Sequence, residues 1–495
     1  MAASFSVDLS KAQHPLVLSI DIGSTGTRGG VFDATGRPVT KTRVRVDHAF
    51  RTNAKGKSEI SPDLILSGVI SVIDGVVERL PHDSIAGVCM DTFASSLVGV
   101  EGGAAITPCY THEDTRSTGD IPALRGYVAE GRLQQRTGTR LHTSYVPARL
   151  RWLARTQSTA FDAVDQWMSI GEYIYLRLLN VRGAATSTAA WSGMLNRHDA
   201  TWDAELVASL GLRPGQLAEI RMPDEPFTKI PKKVAKRWPA LASAIWFPAI
   251  PDGYANHFGS GHADAQTAMV SASVMGALRL LVQGVPASIP GGLWCFRVDR
   301  KHCLVGGAIS DVGRLVDWLD GVTPAPATGT RNQYLEGPIR EVNPIVLPFL
   351  TGERATGWRE DARAVVADIS EKTDAAALYR GAMEGVAMSY RRVVDQVKQV
   401  APDLARVVSG GGITSQLPAW LPILSSVIEL PVIPLGMKRS TLRGNAVLAL
   451  DQLAPDVERA EPELGAVIEP NAKWVGEYRK RFERFGALYD ALYLR

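Results

Sequence analysis

An acidic residue and a turn of small residues lie together near the start of the chain. The apolar run 16–20 ends at Asp21, and Ile-Gly-Ser-Thr-Gly-Thr-Arg28 follows. Backbone N–H groups approach phosphate oxygens closely where side chains are small, and a nearby carboxylate can hold Mg²⁺ directly or through water. The segment therefore predicts a phosphate and Mg²⁺ site. The alternative is an ordinary β-hairpin whose Asp21 caps the turn.

A second aspartate follows an apolar segment in the middle of the chain. Trp246-Phe-Pro-Ala-Ile250 leads to Asp252, and a run rich in small residues continues to Gly261. This pattern places a carboxylate at a strand end or at the start of a helix. Asp252 is either a helix N-cap or a general base that accepts a proton from a substrate hydroxyl.

Three consecutive glycines follow an apolar run in the second half. The stretch Val407–Gln416 predicts a strand, a glycine loop at 410–412 and then a helix. Glycine permits close approach of a ligand to the backbone, so a flat adenine or a ribose can lie against this loop. A glycine loop between a strand and a helix also occurs for packing alone.

The sequence lacks the signatures of several other chemistries. Gly56-Lys57-Ser58 has the tail of a phosphate-binding P-loop, but Arg51 stands where the leading glycine is required. Neither Gly-x-Ser-x-Gly nor His-Glu-x-x-His occurs, which removes common hydrolase and zinc-protease signatures. Phosphoryl transfer is the chemistry that these patterns favour.

Strands and helices alternate around these segments. Residues 16–20 and 29–32 predict a hairpin, 62–80 has the spacing of an amphipathic helix, and 85–90 predicts a strand that ends at Asp91. A helix at 379–400, a strand at 405–409 and a helix at 419–428 repeat this alternation, so the fold class is α/β. Each half opens with strands around a small-residue turn, which suggests duplication. Trp294 and Trp318 are predicted to lie in the core.

Length and composition limit the remaining possibilities. The chain has 495 residues, 45% of them hydrophobic, and a net charge of +3, which indicates a folded chain and argues against a nucleic-acid partner. Four cysteines lie far apart without metal-binding or disulfide spacing, so a reducing cytoplasmic location is expected. No secretory signal or membrane-spanning segment is evident.

In combination, these segments resemble the FGGY family of carbohydrate kinases. The resemblance extends over nearly the whole chain, in stretches at 21–33, 91–98, 113–116, 137–152, 171–173, 252–261, 348–354, 410–415 and 443–444. It implies a two-domain fold of the actin, hexokinase and heat-shock ATPase type, which is ribonuclease H-like, with a central interdomain cleft. Residues 1–250 would form the N-terminal domain, which binds sugar and carries the first phosphate loop. Residues 251–495 would form the nucleotide-binding C-terminal domain.

The resemblance also implies roles for individual residues. Asp252 would deprotonate the sugar hydroxyl, and Asp21 would help to hold Mg²⁺. The residues expected to contact ATP are Ser24, Thr25, Thr27, Arg28, Ser273, Gly313, Asp317, Gly411, Gly412 and Gln416. The residues expected to contact the sugar are Phe93, Ala94, Ser95, Asp114, Arg116, Ser144 and Tyr145.

Two departures from the gluconokinase-like branch of this family affect the expected activity. Ala94 and Ser95 stand where Trp-His is usual, so the pocket should be roomier and accept gluconate-like or larger acceptors. Ser273-Val-Met-Gly276 replaces a phosphate loop with an additional glycine and hydroxyl, and the Val274 side chain cannot donate a hydrogen bond. Two hypotheses stay open: an ATP-dependent sugar kinase, and a catalytically weak sugar- or nucleotide-binding relative. Relatives are often homodimers.

Overall fold

The computed structural model describes residues 5–261, 264–323, 329–437 and 440–494, and it contains two compact units. The first unit comprises Met1–Gly261, Cys295–Cys303 and Lys438–Glu461, and the second comprises His262–Trp294, Leu304–Met437 and Pro462–Arg495. The units differ from the predicted division into residues 1–250 and 251–495. The difference arises because Asp252 and two later segments pack with the first unit.

The first unit is built around a mixed sheet. The strands of residues 5–261 are β1 (Leu16–Gly23), β2 (Gly26–Phe32), β3 (Val44–Asp47), β4 (Arg51–Thr52), β5 (Ser58–Ile60), β6 (Ile85–Thr92), β7 (Val98–Glu101), β8 (Ala104–Ala105), β9 (Cys109–Tyr110), β10 (Gln166–Met168), β11 (Ala184–Ala185), β12 (Leu195–Asn196), β13 (Thr201–Trp202), β14 (Ile220–Arg221), β15 (Ile245–Trp246) and β16 (Ile250–Pro251). The main sheet has the order β3-β2-β1-β6-β15, and β16 also pairs with β6. β1, β15 and β16 run parallel to β6, whereas β2 is antiparallel to β1. The carboxyl ends of β1, β6 and β16 therefore meet at one edge of the sheet.

Helices cover this sheet. Those of residues 5–261 are α1 (Pro62–Val77), α2 (Ile121–Tyr127), α3 (Glu130–Thr137), α4 (Val146–Thr156), α5 (Ser158–Ala163), α6 (Ile170–Leu179), α7 (Thr186–Trp191), α8 (Ala204–Ser209), α9 (Lys232–Arg237) and α10 (Asp252–Gly259). The predicted first helix is confirmed, although it ends at Val77. Its start follows from the sequence, because Ser61 Oγ accepts a hydrogen bond from Leu64 N and Pro62 occupies the first helical position.

The later part of the chain supplies a second sheet. The strands of this later part are β17 (Thr267–Ala272), β18 (Gly276–Gln283), β19 (Trp294–Arg297), β20 (His302–Ile309), β21 (Ile345–Leu347), β22 (Val365–Ala367), β23 (Arg406–Gly410) and β24 (Val432–Pro434). All of them belong to the second sheet except β21 and β22, which form a separate two-stranded sheet. The helices of this later part are α11 (Gly313–Val322), α12 (Thr330–Leu335), α13 (Ala375–Val400), α14 (Gly412–Gln416), α15 (Leu421–Ile428), α16 (Ser440–Leu453) and α17 (Ala472–Tyr493). Of these helices, α16 belongs to the first unit. No helix within the described ranges is both long and apolar enough to cross a membrane.

The two sheets share one topology. The second contains the order β20-β18-β17-β23-β24, which matches β3-β2-β1-β6-β15 of the first. In each sheet, the first two strands form an antiparallel hairpin. A third strand pairs in parallel with the first strand of that hairpin, and a fourth strand pairs in parallel with the third. This repetition agrees with the duplication that the sequence suggested. Trp294 is buried as predicted, but Trp318 is 40% exposed, so its assignment to the core was wrong.

Two segments from the second half complete the first unit. The peptide N–H of Cys295 donates to the carbonyl of Gly138, and Arg297 Nη1 donates to the carbonyl of Arg197. Helix α16 packs on β1, where Ser19 Oγ donates to the carbonyl of Leu442 over 2.8 Å. Both attachments are non-local along the chain, which is why the division of the sequence into two halves did not include them.

Candidate active site

Three aspartates lie at the carboxyl ends of neighbouring parallel strands. Asp21 in β1 pairs in register with Asp91 in β6, and Asp91 in turn pairs with Ile250 in β16. Asp252 follows two residues beyond Ile250. Asp91 is completely buried and Asp21 is 6% exposed, so the strand ends gather three carboxyl groups on one side of the first unit.

The surroundings of this cluster raise the pKa of two of its carboxyl groups. Burial, reinforced by the charges of Asp21 and Asp252, raises the pKa of Asp91 well above its usual value. Burial also raises the pKa of Asp21, although Arg28 Nη1, 3.3 Å from Asp21 Oδ2, opposes the increase. The Asp91 carboxyl interacts with that of Asp21, and neither of its oxygens receives a hydrogen bond from another N–H or O–H group of the described residues. Buried acids with so little compensation are typical of functional sites.

The hairpin β1–β2 supplies the predicted phosphate-binding groups. Ser24 and Thr25 form its exposed two-residue turn, because Gly23 pairs with Gly26. His48 Nε2 lies 2.8 Å from the carbonyl oxygen of Gly23 and supports this turn from the residue after β3. Arg28 faces Asp21 across the two strands. The structure therefore brings Ser24, Thr25 and Arg28 close to the carboxylate cluster.

Thr27 does not join them. Its side chain lies on the face of β2 opposite to that of Arg28, because successive side chains alternate along a strand. A Cβ atom added at Gly68 in α1 would lie 3.6 Å from Thr27 Oγ1, and Thr27 is fully buried. The structure thus places Thr27 beneath helix α1, away from the turn.

Asp252 is fixed by the close packing of two helices. It is the first residue of α10, and its Oδ1 accepts a hydrogen bond of 2.7 Å from Gly253 N. Helix α16 crosses α10 so closely that a Cβ at Gly444 would lie 1.7 Å from the carbonyl oxygen of Ala255. Asn256 Nδ2 also donates to Ser440 Oγ over 2.7 Å. The Arg443-Gly444 stretch therefore positions the helix that carries Asp252.

The predicted acceptor residues Phe93, Ala94 and Ser95 follow β6 directly. They line a cavity in the first unit, together with Thr92 and Pro251. Phe93 N donates to the carbonyl of Ile22, and the Phe93 ring packs edge-on against Phe50 at 5.0 Å. Because Thr92 and Pro251 are the chain neighbours of Asp91 and Asp252, this cavity adjoins the carboxylate cluster.

Asp114 and Arg116 are paired with each other rather than with this cavity. Arg116 donates to both oxygens of Asp114 and also to Glu59 Oε2 over 3.1 Å. Asp114 is fully buried and accepts a further hydrogen bond of 3.0 Å from Ser58 N. The Arg116 guanidinium stacks 4.5 Å above the Trp152 ring. Neither residue is among those that line the cavity.

Ser144 and Tyr145 are buried beside an aromatic cluster. The ring of Tyr145 meets Phe296 edge-on at 6.5 Å, and Phe296 stacks on Trp191 at 3.9 Å. The next residue, Val146, lines the cavity, but Ser144 and Tyr145 do not. Phe296 comes from the segment Cys295–Cys303, so the second half of the chain contributes to this part of the first unit.

The second unit brings together four of its predicted nucleotide-binding residues. Gly313 N donates to the carbonyl of Ser273 over 2.7 Å, and Ser273 Oγ accepts a hydrogen bond of 3.4 Å from Gly412 N. A Cβ at Gly411 would lie 2.3 Å from the carbonyl oxygen of Ala272. The loops after β17, β20 and β23 therefore converge on one place.

Asp317 and Gln416 lie on the helices that begin at these loops. Asp317 is exposed one turn after Gly313 in α11, and Gln416 is exposed at the end of α14. A Cβ at Gly412 would be 3.9 Å from Gln416 Nε2, with nothing nearer. This open glycine surface can accommodate a flat ligand. The Val274 side chain of the neighbouring loop is 55% exposed.

Reasoning from the sequence missed Asp91, Phe296 and Trp191 as residues of these sites. A signal for Asp91 was present, because the strand 85–90 ends in an acid in the same way as the strand before Asp21. No signal in the sequence connected Phe296 with Tyr145. Asp21 and Asp91 together offer carboxylate oxygens of the type that Mg²⁺ binds alongside substrate phosphates. Among the described residues, no three His, Cys, Asp or Glu side chains are placed so that they could hold one metal ion together, so the three aspartates do not form a complete metal site by themselves.

Known proteins share this sequence pattern and this architecture. Residues 16–259 match the N-terminal domain of the FGGY family of carbohydrate kinases, and residues 277–452 match its C-terminal domain. Gluconokinase of Bacillus subtilis (strain 168) is 23% identical over 448 residues, covering 88% of this chain and 87% of the relative.

Solved structures confirm the predicted fold. Gluconate kinase and xylulose kinase from Lactobacillus acidophilus match with TM-scores of 0.89 and 0.90, each at 22% identity over 96% of this chain and 98% of theirs. The fold is thus the two-domain α/β fold of the actin, hexokinase and heat-shock ATPase type. The chain belongs to the FGGY family of carbohydrate kinases, which are phosphotransferases that use ATP and act on an alcohol group of a small sugar substrate.

Proposed function

We propose that the chain transfers the γ-phosphate of ATP to a hydroxyl group of a sugar, sugar acid or polyol, gluconate-like or larger. Asp252 acts as the general base and Asp21 helps to hold Mg²⁺. The observation that carries this proposal is the convergence of Asp21, Asp91 and Asp252 at the ends of three parallel strands. The cavity that begins at Thr92 and Pro251 is the proposed acceptor site.

The proposed reaction needs little covalent chemistry from the protein. The acceptor oxygen bonds to the γ-phosphorus, the bond from that phosphorus to the β,γ-bridging oxygen breaks, and ADP leaves with the electron pair. The hydroxyl proton passes to the Asp252 carboxylate. Positioning and charge stabilisation dominate such reactions. Asp252 suits this role because it begins a helix held in place by α16.

The phosphate end of ATP is assigned to the hairpin of the first unit. Ser24 and Thr25 offer exposed hydroxyl groups and small-residue backbone N–H groups, and Arg28 adds positive charge. Arg45 pairs with Arg28 across β2 and β3.

The chemistry of the carboxylate pair fits Mg²⁺. The metal ion, when bound, neutralises charge on the transferring phosphate. Mg²⁺ is commonly bound through one or two carboxylates together with substrate phosphates. Asp21 would hold it, and Asp91 lies beside Asp21 with two buried oxygens that receive no hydrogen bond from the described residues.

The nucleoside end of ATP is assigned to the second unit. Gly412 provides the open backbone surface, Gly411 packs closely against Ala272 beside it, and Ser273 and Gly313 hold the adjoining loops in place. Asp317 and Gln416 are exposed on the helices that start there. We propose that the Asp317 carboxylate accepts a hydrogen bond from the nucleoside and that the Gln416 amide forms a further hydrogen bond with it.

The loop Ser273–Gly276 supports a second candidate function. The family resemblance implies a hydrogen-bonding group for phosphate at the position of Val274, whose side chain is exposed and cannot donate a hydrogen bond. A chain with weakened phosphate binding would retain sugar or nucleotide affinity without turnover.

A cytoplasmic location and a homodimer remain predictions from the sequence and the family resemblance.

The test is ADP release with Mg-ATP over a panel of sugar acids, polyols, ketoses, amino sugars and cyclitols. Asp252→Asn should lower kcat by about 100-fold or more, because it removes the proton acceptor and retains the shape. Asp374→Asn is the matched control, since Asp374 caps helix α13 in the second unit and should tolerate the change. Release that is unchanged in Asp252→Asn contradicts the assigned base. Nucleotide binding without release from the wild type supports the second candidate.

A further inference from the structure

His48 holds the turn of the first hairpin at two points. Its ring Nε2 lies 2.8 Å from the carbonyl oxygen of Gly23, and its backbone N donates to the carbonyl of Thr25 over 3.3 Å. A carbonyl oxygen accepts hydrogen bonds and cannot donate them, so Nε2 carries the hydrogen atom in the contact with Gly23. His48 therefore binds the turn on both sides of Ser24.

The bond to Gly23 sets the direction of a neighbouring donor. The carbonyl of Gly23 and the N–H of Ser24 belong to one peptide group, and this peptide is trans. In a planar trans peptide the C=O and N–H groups point in opposite directions. Because the His48 ring holds the carbonyl on its own side, it directs the Ser24 N–H to the other side, away from His48.

The turn itself has little else in its local sequence to fix this direction. Gly23 and Gly26 flank it, and glycine has the greatest conformational freedom of any residue. Ser24 and Thr25 are exposed between them. A Cβ atom at Gly26 would lie 2.8 Å from the carbonyl oxygen of Val46 in β3. Glycine at this position therefore allows β3 to pack closely on the hairpin, and it brings the residue after β3 to the turn.

His48 lies on a short link that is held at both ends. On one side, β3 pairs with β2 as far as Asp47. On the other side, the Phe50 ring packs edge-on against Phe93 at 5.0 Å, and Phe93 N donates to the carbonyl of Ile22, the residue before Gly23. The His48 side chain is half-buried. A ring held in this way can set the direction of the turn before a ligand binds.

We propose that His48 is a positioning residue that aims the Ser24 N–H at the transferring phosphate. This inference rests on the proposed function, because that function assigns the phosphate end of ATP to this turn. Donors that are oriented in advance stabilise the charge of a transition state without having to reorganise during the reaction. In this role His48 acts through the peptide group of Gly23 and needs no contact with the phosphate.

The test compares two substitutions of His48 in the full chain. His48→Leu removes the ring donor and retains much of the side-chain volume, whereas His48→Gln supplies an amide N–H at a similar reach. ADP release is measured with Mg-ATP and the best acceptor of the panel. In His48→Leu, kcat should fall by about tenfold, and KM for the acceptor should change by less than about twofold. His48→Gln should recover most of the lost kcat.

Calorimetry provides a second readout that does not require turnover. Affinity for the non-hydrolysable β,γ-imido analogue of ATP, with Mg²⁺, should fall by about 3- to 10-fold in His48→Leu, which corresponds to one hydrogen bond. Affinity for AMP should not change, because AMP lacks the phosphates that are assigned to this turn. His48→Gln should bind the analogue nearly as tightly as the wild type.

His198→Leu is the matched control. The His198 ring also contacts a backbone carbonyl, since its Nε2 lies 3.1 Å from the carbonyl oxygen of Gln135, but it does so outside the proposed sites. This variant should retain the kcat and the analogue affinity of the wild type. The melting temperature shows whether each variant is folded, and His48→Ala replaces His48→Leu if the latter unfolds.

The outcomes separate this inference from the proposed function. Wild-type kcat and analogue affinity in His48→Leu overturn the inference and leave the kinase intact. Equal losses in His48→Leu and His48→Gln also overturn it, because the donated hydrogen bond is then not the cause. If the wild type releases no ADP with any acceptor, the proposed function fails. Weaker binding of the analogue in His48→Leu that His48→Gln restores would then still support the role of His48, and an analogue that does not bind the wild type would overturn it.

Discussion

Asp91 lies directly opposite Asp21 in the parallel register of β6 and β1, and both residues are buried at the same edge of the sheet. Two carboxyl groups in such a position repel each other when both are ionised. Asp91 also senses the charge of Asp252. This arrangement lowers the stability of the folded chain. Such a loss of stability is expected at a site where ligand binding requires the two carboxyl groups.

We expect Asp91→Asn to stabilise the first unit and to impair the reaction. The pKa of Asp91 is raised above its usual value in the folded state, so the folded chain retains a proton that the unfolded chain releases. The free energy of unfolding therefore falls as pH rises above the unfolded pKa of about 3.9. At pH 8 the variant should melt about 2–4 °C higher than the wild type, with a gain that shrinks as pH approaches 4.

Activity should change in the opposite direction. Loss of the Asp91 carboxylate next to the proposed Mg²⁺ ligand should lower kcat or Mg²⁺ affinity by about 10- to 100-fold. Asp33→Asn is the control, because Asp33 is also fully buried but accepts hydrogen bonds from Thr35 and Arg37. That variant should melt lower than the wild type. A lower melting temperature of Asp91→Asn than of the wild type at pH 8 would contradict the explanation that the Asp91 carboxyl group destabilises the fold.

The hairpin shows what the sequence was able to predict. A strand, a turn of small residues and an acid before the turn are local features, so the positions of Asp21 and Arg28 followed from the pattern. Alternation along β2 was also a local signal, and it places Thr27 on the opposite face. The position of Asp91 next to Asp21 depends on the register between β1 and β6, which are separated by helix α1 in the chain. Such a pairing cannot be inferred from local patterns alone.

Two neighbouring glycines of the second unit should respond differently to alanine. Gly411 has φ +110°, and a Cβ there would lie 2.3 Å from the carbonyl oxygen of Ala272, so Gly411→Ala should lower the melting temperature. At Gly412 the nearest atom would be 3.9 Å away. Gly412→Ala should therefore leave stability unchanged and weaken ATP binding by about tenfold, because a methyl group would occupy the proposed nucleotide surface.

Thermal melting and calorimetric titration with ATP would measure both effects. ATP affinity that Gly412→Ala leaves unchanged would contradict the assignment of the glycine loop to the nucleotide. Equal melting temperatures for the two variants would contradict the packing described for Gly411.

The packing of α10 against α16 was also beyond local prediction. The resemblance included Gly444, but its partner in the fold is Ala255, far earlier in the chain. Packing of this kind depends on which surfaces meet after folding. The same holds for Cys295–Cys303, which belongs to the first unit although its neighbours in sequence belong to the second.

Gly444→Ala should displace the helix that carries Asp252. The added Cβ would overlap the carbonyl of Ala255 at 1.7 Å, so α10 and α16 must separate. We expect kcat to fall by about 100-fold, because small errors in the position of a base are costly, together with a lower melting temperature. Gly476→Ala is the control, since Gly476 is exposed in α17 and nothing lies within 4 Å of a Cβ there. Full activity of Gly444→Ala would contradict the positioning role.

Glu429 should make the second unit sensitive to acid. It ends helix α15 and bridges Arg391 of α13, at 2.8 Å, and Arg479 of α17. Hydrogen bonds from Arg479 and then from Arg391 lower the pKa of Glu429 to about 2. Because the folded pKa lies below the unfolded value, the bridge contributes its full stability above about pH 4.5. That contribution is lost as pH falls toward 2.

Glu429→Gln should therefore melt lower than the wild type at pH 7 by an amount that shrinks between pH 5 and pH 3. Partial exposure of these groups to solvent limits the effect to about 1 kcal/mol. Calorimetry across this pH range measures it. Glu477→Gln is the control, because Glu477 is exposed in α17 and lies 3.5 Å from Lys480 of that helix. A difference between Glu429→Gln and the wild type that persists undiminished at pH 3 would show that the ion pairs are not its cause. The shape of the Glu429 side chain would then be responsible for the contribution at the end of α15.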